Sequence, residues 1–297
     1  MEEYKKGNFI AEGKTKKIFK VIGMPELAII QYKNTITKFD NPDFTKEFEM
    51  KAEYSNTTTC KVFELLKGLG FPVAFENKIS PTEFLAPLCT MLPFEVVTRR
   101  YAYGSYLKRN PGMIRSEGKK PKRFQDIVVE FFLKTTKGKL VSSNGKVIVG
   151  GLDPKKGEED PFITNPYDDA WDLYHPKKPA WDKDVDLRKG ILASDVIDMP
   201  YPSVIMNEMA DYAKDIFLAL EAAWEYLECQ LIDMKIEFGI SPQGELLIAD
   251  VIDNDSWRLR DENWEELSKE SFRQNEELSR VKEKYGIVAV LTEKFNI

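Results

Sequence analysis

The sequence predicts a globular chain that mixes antiparallel β-hairpins with a few long helices. Three observations carry that expectation. Short runs of alternating apolar and polar residues recur in pairs around Gly- and Pro-containing turns. Two stretches repeat apolar residues every three and four positions, the helical period. Hydrophobic residues make up 42% of the 297 and charged ones 31%, a balance that buries a core and allows one to three domains.

Taken in order, Lys17-Ile-Phe-Lys-Val-Ile22, a break at Gly23-Met-Pro25 and Leu27-Ala-Ile-Ile-Gln-Tyr32 read as an antiparallel hairpin. Residues 46–68 follow a helical period, with Phe48, Ala52, Ser55, Thr59, Val62, Phe63 and Leu66 on one side and Gly68 and Gly70 as the stop. Residues 71–108 return to strands, among them Phe94-Glu-Val-Val-Thr98, and 127–133 form another. From Lys134 to about Arg188 the chain is dense in Gly, Pro and charge. It reads as an irregular insert with a short hairpin near 139–149, the kind of stretch that serves as a lid or a binding loop or is disordered. Residues 203–229 are a strong helix through Ile205, Met209, Tyr212, Ile216, Leu220, Ala223 and Trp224, and a charged amphipathic helix closes the chain near 262–284.

The densest chemistry lies between those last two helices. Asp233-Met-Lys-Ile-Glu-Phe-Gly239 alternates charged and apolar residues, so Asp233, Lys235 and Glu237 share one face. After the turn Ser241-Pro-Gln-Gly244, an apolar run ends in Asp250, followed by Asp253, Asp255 and Arg258. Hard oxygen ligands on facing strands suit Mg²⁺ bound to nucleotide phosphates. The plain alternative is a solvated sheet face bearing surface ion pairs.

Composition narrows the function. A net charge of -6 argues against broad nucleic-acid or anionic-membrane binding but leaves room for a local basic cluster around a small anion. There is no 18-residue apolar span, and the charged start at Met1 lacks a signal peptide's apolar region. Cys60, Cys89 and Cys229 are widely spaced and odd in number, so the expectation is a cytoplasmic protein without disulfides or a cysteine zinc site. The only histidine, His175, sits in the Pro-rich stretch, which makes a Ser-His-Asp triad improbable.

Near the start, Ala11-Glu-Gly-Lys-Thr-Lys-Lys17 places Gly13 with Lys14, Lys16 and Lys17 at a turn between strands. Glycine lets backbone amides approach phosphate oxygens and lysines offset their charge, although a charged turn is the simpler reading. It is not a P-loop, since GxxxxGK[ST] is missing and a strand follows where a helix is required.

Together with Met91-Leu-Pro-Phe-Glu-Val-Val-Thr-Arg-Arg-Tyr-Ala-Tyr-Gly-Ser105, these motifs occur in the order found in SAICAR synthetases of purine biosynthesis. The chain resembles that family from Gly13 to about Arg273 outside the insert, and its eukaryotic form especially. The resemblance implies an α+β fold with a small antiparallel ATP-binding portion, 1–92, related to protein kinases and ATP-grasp enzymes, and a larger α+β portion, 93–297, holding the insert at about 134–188. It further implies an ATP- and Mg²⁺-dependent ligase that condenses L-aspartate with carboxyaminoimidazole ribonucleotide (CAIR) through an acyl phosphate.

Carried onto this chain, the resemblance places Gly13, Lys14 and Lys16 at the ATP phosphates, the Met91 backbone at adenine and Glu95 near the ribose. Lys235 meets the transferring phosphate, and Glu237 and Asp250 hold Mg²⁺ between ATP and the CAIR carboxylate. Arg99, Ser105 and Arg258 bind CAIR, Asp233 and Asp255 orient substrate groups or waters, and Lys269 with Arg273 hold the 5′-phosphate. Glu95, Asp233 and Asp253 read equally as structural ion pairs, and Lys269 and Arg273 as a solvated helix face. Phe94, Thr98 and Tyr103 depart from the family pattern and bear on the shape of the CAIR pocket. The family's Asp-Pro loop corresponds to Asp160-Pro161, about 25 residues beyond Lys134, a provisional pair for aspartate or CAIR. The family is often dimeric or larger, though no residue pattern here requires it. Two other readings remain open at this point: a small-molecule phosphotransferase on a related kinase-like scaffold, and a non-catalytic nucleotide-binding protein.

Overall fold

A computed structural model describes residues 4–38, 41–116, 118–142 and 145–295, so the first three residues of the charged start and the tip of the 139–149 hairpin lie outside the described residues. The chain forms two compact units. One comprises Met1–Met91, Leu218–Leu231 and Phe238–Ile297; the other comprises Leu92–Phe217 and Ile232–Glu237. This differs from a single cut after residue 92, because the C-terminal segment returns to the first unit. A period-based reading cannot see that return: it depends on Val281 and Tyr285 closing a buried cluster with Ile36 and Phe48.

The first unit carries a five-stranded antiparallel sheet in the order Lys6–Glu12, Lys16–Val21, Met24–Tyr32, Glu83–Pro87, Asn77–Ser80. Val21, Ile29 and Leu85 pack on one face of it. The helix that follows is Lys51–Gly68, shorter than expected. Residues 41–47 pair instead with Thr35–Lys38, and Met50 adopts φ +70°, a left-handed turn that halts any helix from further upstream. Asn34 Oδ1 accepts the Ala52 amide at 3.0 Å, satisfying a donor that the helix start leaves open. The anticipated face from Phe48 to Leu66 is buried.

The closing helix also divides. Glu270–Arg273 is a single turn and the long helix is Leu278–Thr292. Trp264 and Asn275 both take positive φ, which interrupts the 262–284 helix that periodicity suggests.

The second unit is built on an antiparallel sheet in the order Asp186–Leu192, Ala170–Tyr174, Phe162–Ile163, Arg123–Leu133, Phe94–Tyr101, with residues 232–237 of strand Gln230–Ile240 beside the last. The 134–188 insert is therefore less irregular than its composition suggests. It contributes the hairpin Leu140–Val141/Val147–Val149 and strands that widen this sheet. Alternation explains why: Trp171 and Leu173 point inward at zero exposure while their neighbours do not. Trp171 stacks edge-on against Phe94 at 5.6 Å, and Phe94 against Phe131 at 6.5 Å.

His175 pins the insert. Its Nδ1 accepts the Lys177 amide at 3.1 Å and its Nε2 faces the Lys156 carbonyl at 3.2 Å. The three cysteines are unpaired, and burial pushes the Cys60 thiol up to about 12. No described helix is long and apolar enough to cross a membrane.

Candidate active site

In the first unit, the Gly13–Thr15 turn is fastened from several sides. The Gly13 amide donates to the Lys16 carbonyl at 2.9 Å, the Thr35 hydroxyl to the Lys14 carbonyl at 2.6 Å, and Lys33 Nζ to the Gly13 carbonyl at 3.2 Å. Lys14 reaches outward at the tip, whereas Lys16 points back and pairs with Asp250. Asp250 follows strand Leu246–Ala249 and takes φ +61°, a conformation that Asp tolerates better than most residues.

Met91 pairs with Gly239 in a short antiparallel bridge. A Cβ on Gly239 would lie 2.7 Å from Cys89 Cβ, so only glycine lets the two backbones come this close. The segment expected to read adenine is thus held against the end of the charged strand.

Asp255 collects three donors. Lys51 Nζ (3.4 Å) and Lys269 Nζ (3.2 Å) approach Oδ2, and the Tyr285 hydroxyl donates to Oδ1. Burial opposes its charge, but Lys269 and Lys51 outweigh that and hold the carboxyl well below its usual range. Asp253 behaves oppositely: burial, then the Asp255 charge, push it up. Arg258 Nε and Arg273 Nη1 both donate to Glu270 Oε2, at 3.2 and 3.0 Å.

In the second unit, Asp233 and Glu237 are 3% and 5% exposed, so two of the three charges on this face are withdrawn from water while Lys235 is half-buried. Glu237 accepts Lys235 Nζ on Oε1 at 2.9 Å and Lys134 Nζ on Oε2. Lys235 also reaches Glu95 Oε1 at 2.8 Å. Burial pushes Glu237 up, yet Lys235 and Lys134 together hold it below its ordinary value, so it stays ionised. Lys134 is therefore part of this cluster. Asp160 is held beside it, because its carboxylate accepts the Thr135 amide at 2.8 Å and its own amide donates to the Thr135 hydroxyl at 3.3 Å.

Arg99 lies directly across from Asp233 in the sheet and is 3% exposed. Its Nε donates to Glu130 Oε2 at 2.6 Å, its Nη1 to Asp233 and to the Tyr103 carbonyl, and its Nη2 to the Ser105 hydroxyl at 3.1 Å. Arg109 binds the other Glu130 oxygen and the Pro176 carbonyl, and stacks over Phe132 and Phe162. Of the departures from the family pattern, Phe94 and Thr98 sit fully buried in the sheet core, and the Tyr103 carbonyl accepts from Arg99.

Sequence reasoning passed over Lys51, Glu130, Arg109, Glu270 and Tyr285. Glu130 had a visible signal, being the one charge in the apolar run Ile127–Leu133. Among the described residues no three acidic, His or Cys side chains cluster as a ready-made metal cage.

A sequence model of the SAICAR synthetase family matches residues 9–153 and 190–289, leaving out most of the insert, Asp160 included. A phosphoribosylaminoimidazole-succinocarboxamide synthase of Chloroflexus aurantiacus is 33% identical over 293 residues, covering 96% of both chains. A probable multifunctional protein of Caenorhabditis elegans is 37% identical over 272 residues, 91% of this chain but 53% of that protein, so the chain spans about half of this relative. Among solved structures, the phosphoribosylaminoimidazole-succinocarboxamide synthase of Ehrlichia chaffeensis superposes with a TM-score of 0.71 at 22% identity, covering 98% of this chain and all of that one. A SAICAR synthetase solved with ADP gives 0.70 at 21%, with 98% and 100% covered. Both share this chain's fold.

Proposed function

The chain belongs to the SAICAR synthetase family, and from that premise we propose that it is the ligase that joins L-aspartate to CAIR, converting ATP to ADP and phosphate in purine biosynthesis. The observation that carries this reading is Glu237, an almost fully buried carboxylate held ionised between Lys235 and Lys134. Two lysines converging on one such charge, both titratable ammonium donors, suit a place where phosphoryl oxygens are managed. The ADP named with one solved relative agrees with the nucleotide part of the reading.

A carboxylate is a poor electrophile, so its oxygen first attacks the γ-phosphorus and ADP departs. The aspartate amine then adds to the acyl carbon, the C–O bond to phosphate breaks, and the amine gives up a proton. Both steps gather negative charge on phosphoryl oxygens, so oriented cations carry most of the catalysis. Lys235 faces the transferred phosphoryl group, with Glu95 and Glu237 fixing its direction, and Lys134 adds a second cation beside Glu237. Lys14 and Lys16, beneath Gly13, bind the ATP phosphates, and the Met91 backbone meets adenine. Arg258, Lys269 and Arg273 take the ribonucleotide. Arg99 has donors committed to Glu130, Asp233 and Ser105, so it acts chiefly by holding Ser105 and Asp233 in place for CAIR.

Magnesium, when bound, offsets phosphate charge and eases phosphoryl transfer. Glu237 and Asp250 are each proposed as one of its carboxylate ligands. Single hard carboxylates, rather than an acidic cage, fit a cation that keeps water and phosphate oxygens as its remaining ligands.

The deciding experiment supplies ATP, Mg²⁺, CAIR and L-aspartate and follows SAICAR formation and phosphate release. Stoichiometric, aspartate-dependent product formation is expected; ADP formation indifferent to aspartate would point to a phosphotransferase instead.

A further inference from the structure

Lys51 opens helix Lys51–Gly68 and is completely buried. A lysine in a first helical turn ordinarily extends into water, and withdrawing its ammonium is costly unless something inside compensates. The compensation here is Asp255, whose Oδ2 also serves Lys269, while Tyr285 occupies Oδ1 and offers its ring to Lys51 Nζ at 5.7 Å. Phe48 stacks edge-on against Tyr285 at 5.5 Å and seals the inner side. One carboxylate thus faces two ammonium groups. Among the described residues the neighbouring Asp253 bonds to neither ammonium; its carboxyl accepts the Asp255 amide at 2.9 Å instead.

The geometry points to a buried seat in which Lys51 and the Tyr285 hydroxyl are positioning residues for the ribonucleotide. Lys51 neutralises Asp255 from the inside, so Asp255 fixes the direction of Lys269 without consuming its charge. Lys269 then directs its ammonium toward an anionic substrate group such as a phosphate. Without Lys51, the Asp255 charge draws Lys269 inward as its only ammonium partner. This inference rests on the reading above that Lys269 contacts the ribonucleotide.

The test is steady-state kinetics on K51M, K269M, the double variant and Y285F, varying each substrate in turn. K51M is expected to raise KM for CAIR about tenfold while KM for ATP stays within about twofold, and the double variant is expected to be no worse than K269M alone. A simple packing role would move the melting temperature and leave that split and that non-additivity absent. An unchanged KM for CAIR in K51M, beside a raised one in K269M, overturns the seat alone. An unchanged KM in K269M overturns the reading of Lys269 and the seat with it. Should K51M fail to fold, Y285F tests the same carboxylate from its other oxygen while keeping the ring. A rise of about threefold in KM for CAIR supports the seat, and no change overturns it.

Discussion

Replacing Glu130 by Gln keeps the shape of the side chain and removes one charge from a closed network. Glu130 is 6% exposed and stands between Arg99 at 3% and Arg109 at 9%, and among the described residues Asp233 is the other acid bonded to either guanidinium. Two cations are balanced by two anions; the variant leaves one cation uncompensated in the interior. Breaking a buried pair from one side costs roughly 3–5 kcal/mol. Counting hydrogen bonds gives the same scale, since two charge-assisted bonds at about 1.5–3 kcal/mol each are weakened. The glutamine NH2 also meets a guanidinium donor on one side, so it cannot accept from both. With a urea slope of about 2–3 kcal/mol/M, E130Q should lower the unfolding midpoint by about 1–2 M. D126N, an exposed acid on the same strand, is the control and should stay within about 0.5 kcal/mol of the parent. The double variant R109M/E130Q should be less destabilised than the sum of the single variants, because the orphaned charge leaves with Arg109. If E130Q unfolds within about 0.5 kcal/mol of the parent, the network is not the electrostatic keystone of its unit.

Other outcomes follow from the same structure. G239A places a methyl 2.7 Å from Cys89 Cβ and 3.3 Å from the Thr90 carbonyl oxygen, so the segment leading into Met91 must shift and KM for ATP should rise at least about fivefold with KM for CAIR little changed. E237A and D250A should each abolish turnover at ordinary Mg²⁺ or raise the Mg²⁺ requirement by about tenfold or more; unchanged Mg²⁺ titrations would remove both from the metal's ligands. Burial pushes Glu270 up, but Arg258 and Arg273 outweigh it, so its folded value lies below the ordinary 4.5. A depressed carboxyl stabilises the fold fully above its unfolded value and loses that contribution as pH falls through the folded one. The parent should therefore lose stability more steeply than E270Q below about pH 4.5, as read from urea midpoints across an acid series.

How far the chain could be read from its residues varied with the kind of signal. Strand Gln230–Ile240 was legible because a period of two and the identity of Asp233, Lys235 and Glu237 agree, and the structure puts Lys235 and Glu237 in contact. The sequence left open whether that face was wet, since alternation looks the same with or without a covering layer. Lys51 was invisible: a lysine off the apolar stripe of a helix start reads as solvated, and only the return of Tyr285 and Asp255 encloses it. The breaks at Met50, Trp264 and Asn275 escaped for a different reason. Positive φ at an ordinary residue is imposed by tertiary contacts and leaves little compositional trace. The insert's strands were hidden by surrounding Gly and Pro, although Ala170-Trp-Asp-Leu-Tyr174 does alternate.

Thr135 and Asp160 stitch the two ends of the insert's first loop together. Two Thr135–Asp160 bonds, together with the Leu133 amide on the Pro161 carbonyl at 3.0 Å, hold the mouth of the excursion shut. Closing a longer loop costs only about 0.6 kcal/mol for each doubling of its length. Inside that closure Val149 and Leu152 are buried and the Lys156 carbonyl faces His175, so a change in length is cheap only where it spares those contacts, and Lys134 then keeps its address beside Glu237.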